Sequence, residues 1–382
     1  VAHSTTLGQG SVPSILLAER LARLSDLQHV LYSDSGSTAV EAAIKIALQY
    51  FHQNGEPERT GIASLEGAYH GDTLGAVAAA PVPAFHAAFK DFLGDGPVQL
   101  PFPDTYRGPH PGDDAATRDW ALGKAQEILA RHGKRLAVLI VEPMVQGVGG
   151  MRAMPKGYLA GLRALCDEHG VLLVADEVAT GFGRTGKMFA CHHEDVLPDL
   201  MAVGKGLSGG YLPLAATLAS DAVFQGFMGR HEESRQLFHG HSFTGNQLGC
   251  AAALANIALL EPMLADVQEK SAWLDTRLAP WRDIPIVGNV TGLGFMRGVE
   301  LVADKSTKEP FAATARAAQQ VYLEAKARGM LARPYGNTGL FLPPLATPRD
   351  ELATMSDLYE ASLRAAARRL SPSAGIVLEV PR

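Results

Sequence analysis

Two short apolar runs, residues 171–175 and 200–203, constrain the fold of this chain more than any other feature. The first run ends on Asp176, and the second is followed by one glycine and then by Lys205. A run that is apolar throughout is typical of a strand buried on both faces of a parallel sheet. Because such sheets bind ligands just beyond the carboxyl ends of their strands, Asp176 and Lys205 are predicted to lie on one ligand-binding edge.

A carboxylate and an amine on the same edge favour one cofactor, pyridoxal phosphate (PLP). The lysine can form an imine with its aldehyde, and the carboxylate can keep its pyridine nitrogen protonated so that the ring accepts electrons. Each residue alone has a simpler interpretation, because a lysine after a strand is usually solvated and an aspartate there can cap the next turn. The two together, with the phosphate-binding candidates at residues 35–38, favour the cofactor.

Strands and helices alternate along the first two thirds of the chain, which indicates an α/β fold with a mostly parallel sheet and right-handed crossovers. The predicted strands are 30–32, 62–65, 137–141, 171–175, 200–203 and 214–218, and the predicted helices are 13–26, 38–52, 115–132, 155–170 and 247–260. Residues 93–114 are rich in Pro, Gly and Asp and are predicted to be a surface excursion.

The pattern changes beyond about residue 263. A helix, a strand, a further helix, two short strands and a final helix over 349–370 follow in that order, which predicts a separate α+β domain. We therefore expect an N-terminal segment 1–27, a large domain 28–263 and a small C-terminal domain 264–382. Residues 371–382 follow the last predicted helix, and no role is assigned to them.

A Ser-Gly-Ser-Thr stretch precedes the second predicted helix. Thr38 and Glu41 have the spacing of a capping box, which predicts that the helix begins at Thr38. Unpaired N–H groups and the helix dipole favour an anion at such a terminus, so Ser35, Gly36 and Ser37 are candidates for binding a phosphate. An ordinary capped helix is the alternative, because these residue types are common there.

Other candidate residues follow other strands of the predicted sheet. Tyr69 stands on the loop after strand 62–65, where an aromatic ring can cover a planar cofactor or simply pack against neighbours. Glu142 directly follows strand 137–141. Four paired histidines do not indicate a metal site, because no carboxylate or cysteine stands at a recognised ligand spacing from them. These are His192, His193, His239 and His241.

The composition limits the partners and the compartment. Hydrophobic residues make up 47% and charged residues 19% of the 382 residues, which is the balance of a globular protein. The formal net charge of −6, without a Lys/Arg cluster, argues against a nucleic-acid partner. Three cysteines without a CxxC pair indicate a reducing cytosol. No apolar run predicts a membrane span and no signal peptide is evident, so we expect a cytoplasmic protein with no membrane partner.

Taken in order, these motifs resemble the class III (omega-type) aminotransferases of PLP fold type I, from about residue 28 to residue 370. Five spaced pieces carry the resemblance, and Ser242-Phe243 followed by Gly245-Asn246 adds a sixth. The five pieces are 35–37, 69–73, Glu142-Pro143, 176–178 with 181–186, and 204–206. The resemblance implies a PLP-dependent transaminase with a large PLP-binding domain, a smaller C-terminal domain and active sites shared within a homodimer.

Within this class, the chain is most similar to the diaminopelargonate synthases of biotin biosynthesis. The most specific pieces are 181–190 and 333–336 followed by 342–344, and 32–41 supports them. The resemblance implies that a small keto acid, 7-keto-8-aminopelargonate, is aminated to 7,8-diaminopelargonate. The amino donor stays open between S-adenosylmethionine and lysine, and segments 209–213 and 239–242 are more similar to the lysine-using branch.

The resemblance also implies roles for the residues around the cofactor. Lys205 would bind the cofactor and shuttle the proton during transamination, while Asp176 would pair with the pyridine nitrogen. Gly36 and Ser37 would hold the phosphate within their own subunit. Ser242, where the family usually has a threonine, would reach the phosphate bound by the partner subunit.

Further roles follow for the substrate side. Tyr69 would stack near the ring face and share in catalysis and substrate binding, with His70 beside the cofactor and Glu142 behind it. Arg333 and Gly240 would line the substrate pocket, and the planar fork of an arginine suits the far carboxylate of the keto substrate. Relatives also carry an N-terminal stretch, before the point where this sequence begins, that helps line the pocket.

Three other functions compete with this prediction. An omega-amino acid or diamine transaminase acting with pyruvate or 2-oxoglutarate would share the catalytic core, and Arg333 with the donor profile would discriminate it. A nicotinamide dehydrogenase is disfavoured, because no GxGxxG turn with an acid about 20 residues further on follows the first strand. A non-catalytic PLP-binding module is disfavoured by the presence of both Asp176 and Lys205.

Overall fold

The computed structural model describes residues 9–94 and 96–370, and these divide into two compact units. The first unit contains the described residues up to Gly149 and those from Met154 to Leu264. The second contains Gly150–Ala153 and the described residues from Ala265 onward. Residues 1–8 of the predicted N-terminal segment, and the tail 371–382, lie outside the described residues.

Seven described strands of the first unit form one large sheet. They are β1 (His29–Ser33), β2 (Gly61–Leu65), β3 (Val98–Leu100), β4 (Leu136–Val141), β7 (Leu172–Asp176), β8 (Leu200–Val203) and β9 (Ala215–Ala219). The short strand β5 (Val145–Gln146) lies outside this sheet, and β6 (Arg152–Ala153) belongs to the second unit. The order of the large sheet is β1-β9-β8-β7-β4-β2-β3, and the strands from β8 to β3 are all parallel to one another. Antiparallel β9 and β1 complete one edge. The predicted mostly parallel sheet is confirmed.

The helices of the first unit are α1 (Val12–Ser25), α2 (Gly36–Gln53), α3 (Leu74–Ala79), α4 (Pro83–His86), α5 (Lys90–Leu93), α6 (Asp114–His132), α7 (Tyr158–His169) and α8 (Asp221–Gln225), together with the start of α9 (Gln247–Leu278), whose residues from Ala265 onward belong to the second unit. Val40, Ala43 and Ala47 of α2 are fully buried in one core cluster with Val138 of β4 and Val174 of β7. Burying one valine side chain contributes roughly 1.5 kcal/mol or more, so this packing holds α2 firmly on the sheet.

Helix α2 begins earlier than predicted. Ser35 is the N-cap, and the capping box joins Ser35 with Thr38. Glu41, the predicted capping partner, instead accepts the N–H groups of Gly75 at 2.7 Å and Ala76 at 3.3 Å, at the start of α3. The prediction is wrong here because two hydroxyl residues three positions apart both have a partner at capping-box spacing, and spacing alone does not choose between them.

Two other segments differ from prediction. β3 lies within the predicted surface excursion 93–114 and pairs in parallel with β2. α9 continues through Pro262, where a break near residue 263 was predicted, and the predicted domain boundary falls within this helix. A proline removes one helical hydrogen bond, and here the helix continues past the loss.

The register of the sheet sets the ligand-binding edge. Val141 of β4 pairs with Ala175 of β7, and Asp176 pairs with Ala202 of β8. Glu142 and Asp176 therefore stand on neighbouring strands at the same edge. Lys205 follows the end of β8 at this edge.

The second unit is an antiparallel sheet with helices. Its strands are β10 (Val287–Leu293), β11 (Met296–Asp304), β12 (Glu309–Pro310), β13 (Arg333–Tyr335) and β14 (Thr338–Phe341), and its helices α10 (Ala317–Ala327) and α11 (Arg349–Leu370) follow β12 and β14. The strands pair in the order β10-β11-β14-β13, with β12 on β11. The core contains Trp281 stacked on Tyr359 at 5.2 Å between ring centroids, with Phe341 against both rings.

Candidate active site

Asp176, the last residue of β7, is buried and held by two donors. The residue is 5% exposed. Nδ1 of His70 lies 2.7 Å from Oδ2, and the N–H of Val178 donates to Oδ1 at 3.1 Å. Because an ionised carboxylate can only accept, Nδ1 of His70 carries the proton of this bond. The Asp176 side chain is therefore fixed in one orientation on the edge of the sheet.

His70 is enclosed beside this carboxylate, on the loop that leaves β2. Burial lowers its pKa, but the hydrogen bond and charge of Asp176, together with the charge of Glu142, raise the pKa above its ordinary value overall. Its Nε2 is buried and has no hydrogen-bond partner among the described residues. The structure thus places His70 as the direct partner of Asp176, a contact that the sequence did not predict.

Glu142 lies behind these two residues, directly after β4. It is 4% exposed, and its two oxygens accept from the N–H of Tyr69 at 3.1 Å and the N–H of Gly147 at 2.8 Å. Burial and, to a smaller extent, the charge of Asp176 raise the pKa of Glu142 to about 7, against the lowering effects of His70 and of the two backbone hydrogen bonds. Asp176, His70 and Glu142 therefore form a buried group of two carboxylates and one imidazole. We call this group the ring end of the site, because Asp176 is the residue predicted to pair with the pyridine ring of the cofactor.

The first turn of α2 forms a close cradle near Val178. The N–H groups of Gly36 and Ser37 precede the first intrahelical bond, in which Ala39 donates to the carbonyl of Ser35 at 3.0 Å. A Cβ on Gly36 would lie 2.4 Å from Cγ1 of Val178, so a larger residue here would force Val178 or the helix start to shift. Two unpaired N–H groups at a helix start are suited to an anion.

Gly36 also lies close to the turn that precedes Lys205. A Cβ built on Gly204 would be 3.4 Å from the Cα of Gly36. The start of α2, the residue after Asp176-Glu177 and the turn after β8 therefore meet at one place. The sequence predicts this arrangement, in which a phosphate-binding helix start lies close to the turn that carries the amine of Lys205.

The hydroxyl of Ser37 already has protein partners. Its Oγ lies 2.6 Å from Oγ1 of Thr73 and accepts the N–H of Thr73 at 3.0 Å. A Cβ on Gly71, whose φ is +124°, would come within 2.4 Å of the same Oγ, so the 69–73 loop fits tightly over Ser37. Binding of a phosphate by Ser37 stays a prediction, and the backbone N–H is the group best placed for it.

Lys205 is exposed and has an unusual backbone. It is the first residue of a 3₁₀ turn, Lys205–Ser208, and its φ is +39°. A side-chain-bearing residue in this region costs on the order of 1 kcal/mol or more, and such strain is concentrated at functional sites. Nδ2 of Asn256 donates to the carbonyls of Gly206 at 2.7 Å and Leu207 at 3.2 Å, which holds the turn. Asn256, on α9, had no signal in the sequence that could have identified it.

The segment around Ser242 and Gly240 lies beside the start of α2. Nδ1 of His241 is 3.6 Å from Oδ2 of Asp34, and Nζ of Lys45 is 3.1 Å from Nδ1 of His239. Both Ser242 and Gly240 are exposed. The roles of the two residues toward a partner's phosphate and toward the substrate stay predictions.

Arg333 belongs to the second unit. It is the first residue of β13, is exposed and pairs through its backbone with Leu340 of β14. Its assignment to the substrate carboxylate stays a prediction. Within the first unit, by contrast, the structure brings together Asp176, His70, Tyr69 and Glu142.

The comparisons with known proteins all point to one family. The Aminotransferase class-III family matches residues 2–363 of the chain. Among curated proteins, an adenosylmethionine-8-amino-7-oxononanoate aminotransferase of Anoxybacillus flavithermus is 45% identical over 368 residues, which are 95% of this chain and 80% of that protein.

Solved structures are similar along the same length. The adenosylmethionine-8-amino-7-oxononanoate aminotransferase of Methanocaldococcus jannaschii has a TM-score of 0.89 and 39% identity, covering 96% of this chain and 82% of that one. A PLP-bound amine transaminase from an uncultivated Pseudomonas species has a TM-score of 0.89 and 35% identity, covering 97% and 84%.

Proposed function

The chain belongs to the class-III aminotransferase family, and from this premise we propose that it transfers an amino group to 8-amino-7-oxononanoate. This keto acid is 7-keto-8-aminopelargonate, and the product would be 7,8-diaminopelargonate, an intermediate of biotin biosynthesis. The observation that carries the proposal is the 45% identity, over 95% of the chain, to a relative that bears this substrate in its name. The predicted family, fold class and PLP cofactor are confirmed.

The residues of the site fit PLP. A buried carboxylate fixed by a histidine suits a protonated pyridine nitrogen, and the glycine cradle at Gly36 suits a phosphate that must approach the backbone closely. An amine at Lys205 suits the aldehyde. When bound, PLP supplies a ring that accepts the electrons left on the substrate carbon after a proton is removed.

The chain's own residues divide the remaining work. Asp176 provides the negative charge that keeps the pyridine nitrogen protonated, and the N–H of Val178 and His70 hold that carboxylate in place. Lys205 binds the aldehyde carbon and moves a proton to and from the substrate carbon through its Nζ, because an amine can be deprotonated where a guanidinium cannot. We assign the phosphate to the N–H groups of Gly36 and Ser37.

We propose S-adenosylmethionine as the amino donor. The names of the relatives support this donor, since both the Anoxybacillus and the Methanocaldococcus proteins carry it. Lysine is the second candidate, because segments 209–213 and 239–242 are more similar to the lysine-using branch.

A second candidate function is that of an amine or omega-amino acid transaminase. It is favoured by the likeness to the Pseudomonas amine transaminase, which has the same TM-score of 0.89 as the likeness to the Methanocaldococcus enzyme and covers 97% of this chain against 96%. Arg333 is the discriminating residue, because a guanidinium that binds the far carboxylate of a keto acid has no partner on a simple amine.

We propose a cytoplasmic homodimer as the functional form. Among the described residues, one helical stretch, Gln247–Asp283, is long and apolar enough by length and composition to cross a membrane. Only 28% of its most apolar 18-residue segment is buried. Leu248, Leu259 and Phe243 are exposed on this helix and the segment before it. Cover by a second subunit would bury these side chains and bring Ser242 to the partner's phosphate.

The test is a direct assay of the purified protein loaded with PLP. 8-Amino-7-oxononanoate is supplied with S-adenosylmethionine or with lysine, and the diamine is measured by mass spectrometry. We expect the diamine with S-adenosylmethionine. Turnover of simple amines with pyruvate, without formation of the diamine from either donor, would replace the proposed function by the second candidate.

A further inference from the structure

Glu142 joins two loops at the ring end of the site. It stands between the end of β4 and the short strand β5, so its own backbone is fixed by the sheet. Oε2 accepts the N–H of Tyr69 at 3.1 Å, and Oε1 accepts the N–H of Gly147 at 2.8 Å. One side chain therefore ties the loop after β2 to the loop after β5.

Among the described residues, the imidazole of His70 is the positively charged side chain that acts most strongly on this buried carboxylate. The charged and titratable groups that act on Glu142 are His70, on the loop after β2, and Asp176, at the end of β7. Asp176 pairs directly with His70 at 2.7 Å, whereas the hydrogen bonds of Glu142 go to backbone N–H groups. Backbone N–H groups thus provide the hydrogen bonds of Glu142, and their loss would release both loops.

We propose that Glu142 is a positioning residue that holds Tyr69 beside the cofactor ring by accepting its backbone N–H, and that protonation of Glu142 loosens this hold. The inference rests on the proposed cofactor site. An ionised carboxylate accepts N–H bonds roughly twice as strongly as a neutral acceptor, so adding a proton weakens both bonds without removing any atom. The loop that carries Tyr69 then becomes less well fixed.

The protonation of Glu142 that would loosen the loop of Tyr69 falls in a pH range that can be measured. Because burial raises the pKa of Glu142 to about 7, the carboxylate is largely ionised at pH 8 and largely protonated at pH 6. The hold on Tyr69 is therefore strongest above neutrality and weakens as the pH falls through this range.

The decisive variant is Glu142→Gln, which keeps the size but removes the charge and turns an NH₂ group toward one of the two N–H donors. We expect PLP to dissociate about tenfold more readily from this variant at pH 8, since a buried donor loses its acceptor. The ratio of the variant's dissociation constant to that of the wild type should shrink toward pH 6. The circular dichroism of bound PLP should fall in parallel.

Two further variants make the test specific. Glu142→Asp keeps the charge but is one methylene too short to reach both loops, so it should lose affinity and retain the pH dependence. Glu194→Gln is the matched control, because Glu194 also accepts two backbone N–H groups, those of Gly157 at 2.6 Å and Ala160 at 2.8 Å, at the start of α7. It should lower thermal stability and leave PLP affinity unchanged.

The outcomes separate the inference from the function on which it rests. Wild-type affinity and dichroism of Glu142→Gln across pH 6 to 8 would overturn the role of Glu142 while leaving the PLP site intact. An equal loss of affinity in Glu194→Gln would also overturn it, since the effect would then be general. Failure of the wild-type protein to bind PLP at any pH would overturn the proposed function itself.

Discussion

The two ends of the candidate active site are built in different ways. At the ring end, Asp176, His70 and Glu142 are buried and bound to one another or to the backbone of the same chain. At the phosphate end, Ser242 and Lys205 are exposed. Under the proposed homodimer, one chain alone would fix the electronic environment of the ring, while the second chain would enclose the phosphate.

The largest expected effect comes from Lys205→Ala. We expect turnover to fall by at least about 10³-fold, because both the covalent attachment and the proton carrier are lost. PLP should still bind through Asp176 and the start of α2, since the ring end does not depend on this amine. Absorbance and dichroism of the bound cofactor measure the two effects separately.

The control for this variant is Lys124→Ala, which removes an exposed lysine that pairs with Glu127 on the surface of α6. Its activity should match the wild type. Substantial turnover by Lys205→Ala would refute the role of Lys205.

The next effect concerns pH and the buried ring end. The pKa of Glu142 is raised from 4.5 to about 7, so the folded protein without cofactor binds more protons than the unfolded chain between these values. The contribution of Glu142 therefore lowers the free energy of unfolding of the protein as the pH rises from 4.5 to 7, by on the order of 3 kcal/mol. Glu142→Gln should flatten this slope in denaturant titrations, and an unchanged slope would show that Glu142 is not the titrating group.

A smaller effect is expected from Gly36→Ala, which crowds the phosphate end. The new Cβ would meet Cγ1 of Val178 at 2.4 Å, and overpacking of this kind costs about 1–3 kcal/mol. PLP affinity should fall, and Val178→Ala in the same chain should restore part of it. The matched control is Gly123→Ala on α6, where a Cβ meets nothing within 4 Å and should leave PLP affinity unchanged. Undiminished PLP affinity in Gly36→Ala would contradict the assignment of the phosphate to the first turn of α2.

The smallest effect is expected from Ser242→Ala, which removes one exposed hydroxyl. Loss of a single hydrogen bond to phosphate costs about 1 kcal/mol, or roughly fivefold in PLP affinity.

A second variant, Ser242→Glu, tests whether the site is shared between subunits, because the new carboxylate would repel the phosphate of the partner subunit. When Ser242→Glu and Lys205→Ala subunits are mixed in equal amounts, about half of the dimers should be heterodimers. Each heterodimer holds one intact site of two, so the mixture should regain about a quarter of wild-type activity. No recovery on mixing would show that the site belongs to one chain.

The sequence predicted the buried parts of the fold most accurately. Strand β8 is where it was predicted, because a fully apolar run of four residues has few other structures available. Helix α11 also has its predicted bounds, Arg349–Leu370. In both cases the local pattern and the tertiary structure impose the same choice.

The sequence failed where tertiary contacts decide. β3 is only three residues long, and its pairing with β2 gives it a strand structure that its Pro- and Gly-rich surroundings conceal. The bond between His70 and Asp176 joins residues 106 positions apart, and no local spacing encodes it. The motif residues were therefore identified, but not the contacts that orient them.

The most direct test of the account is an absorbance spectrum of the purified protein, recorded before and after S-adenosylmethionine or lysine is added in turn. We expect a visible band of the lysine-bound cofactor that S-adenosylmethionine bleaches, and bleaching by lysine instead would change only the donor. Absence of the band, even after PLP is added, would contradict the assignment of Asp176 and Lys205 to one cofactor site.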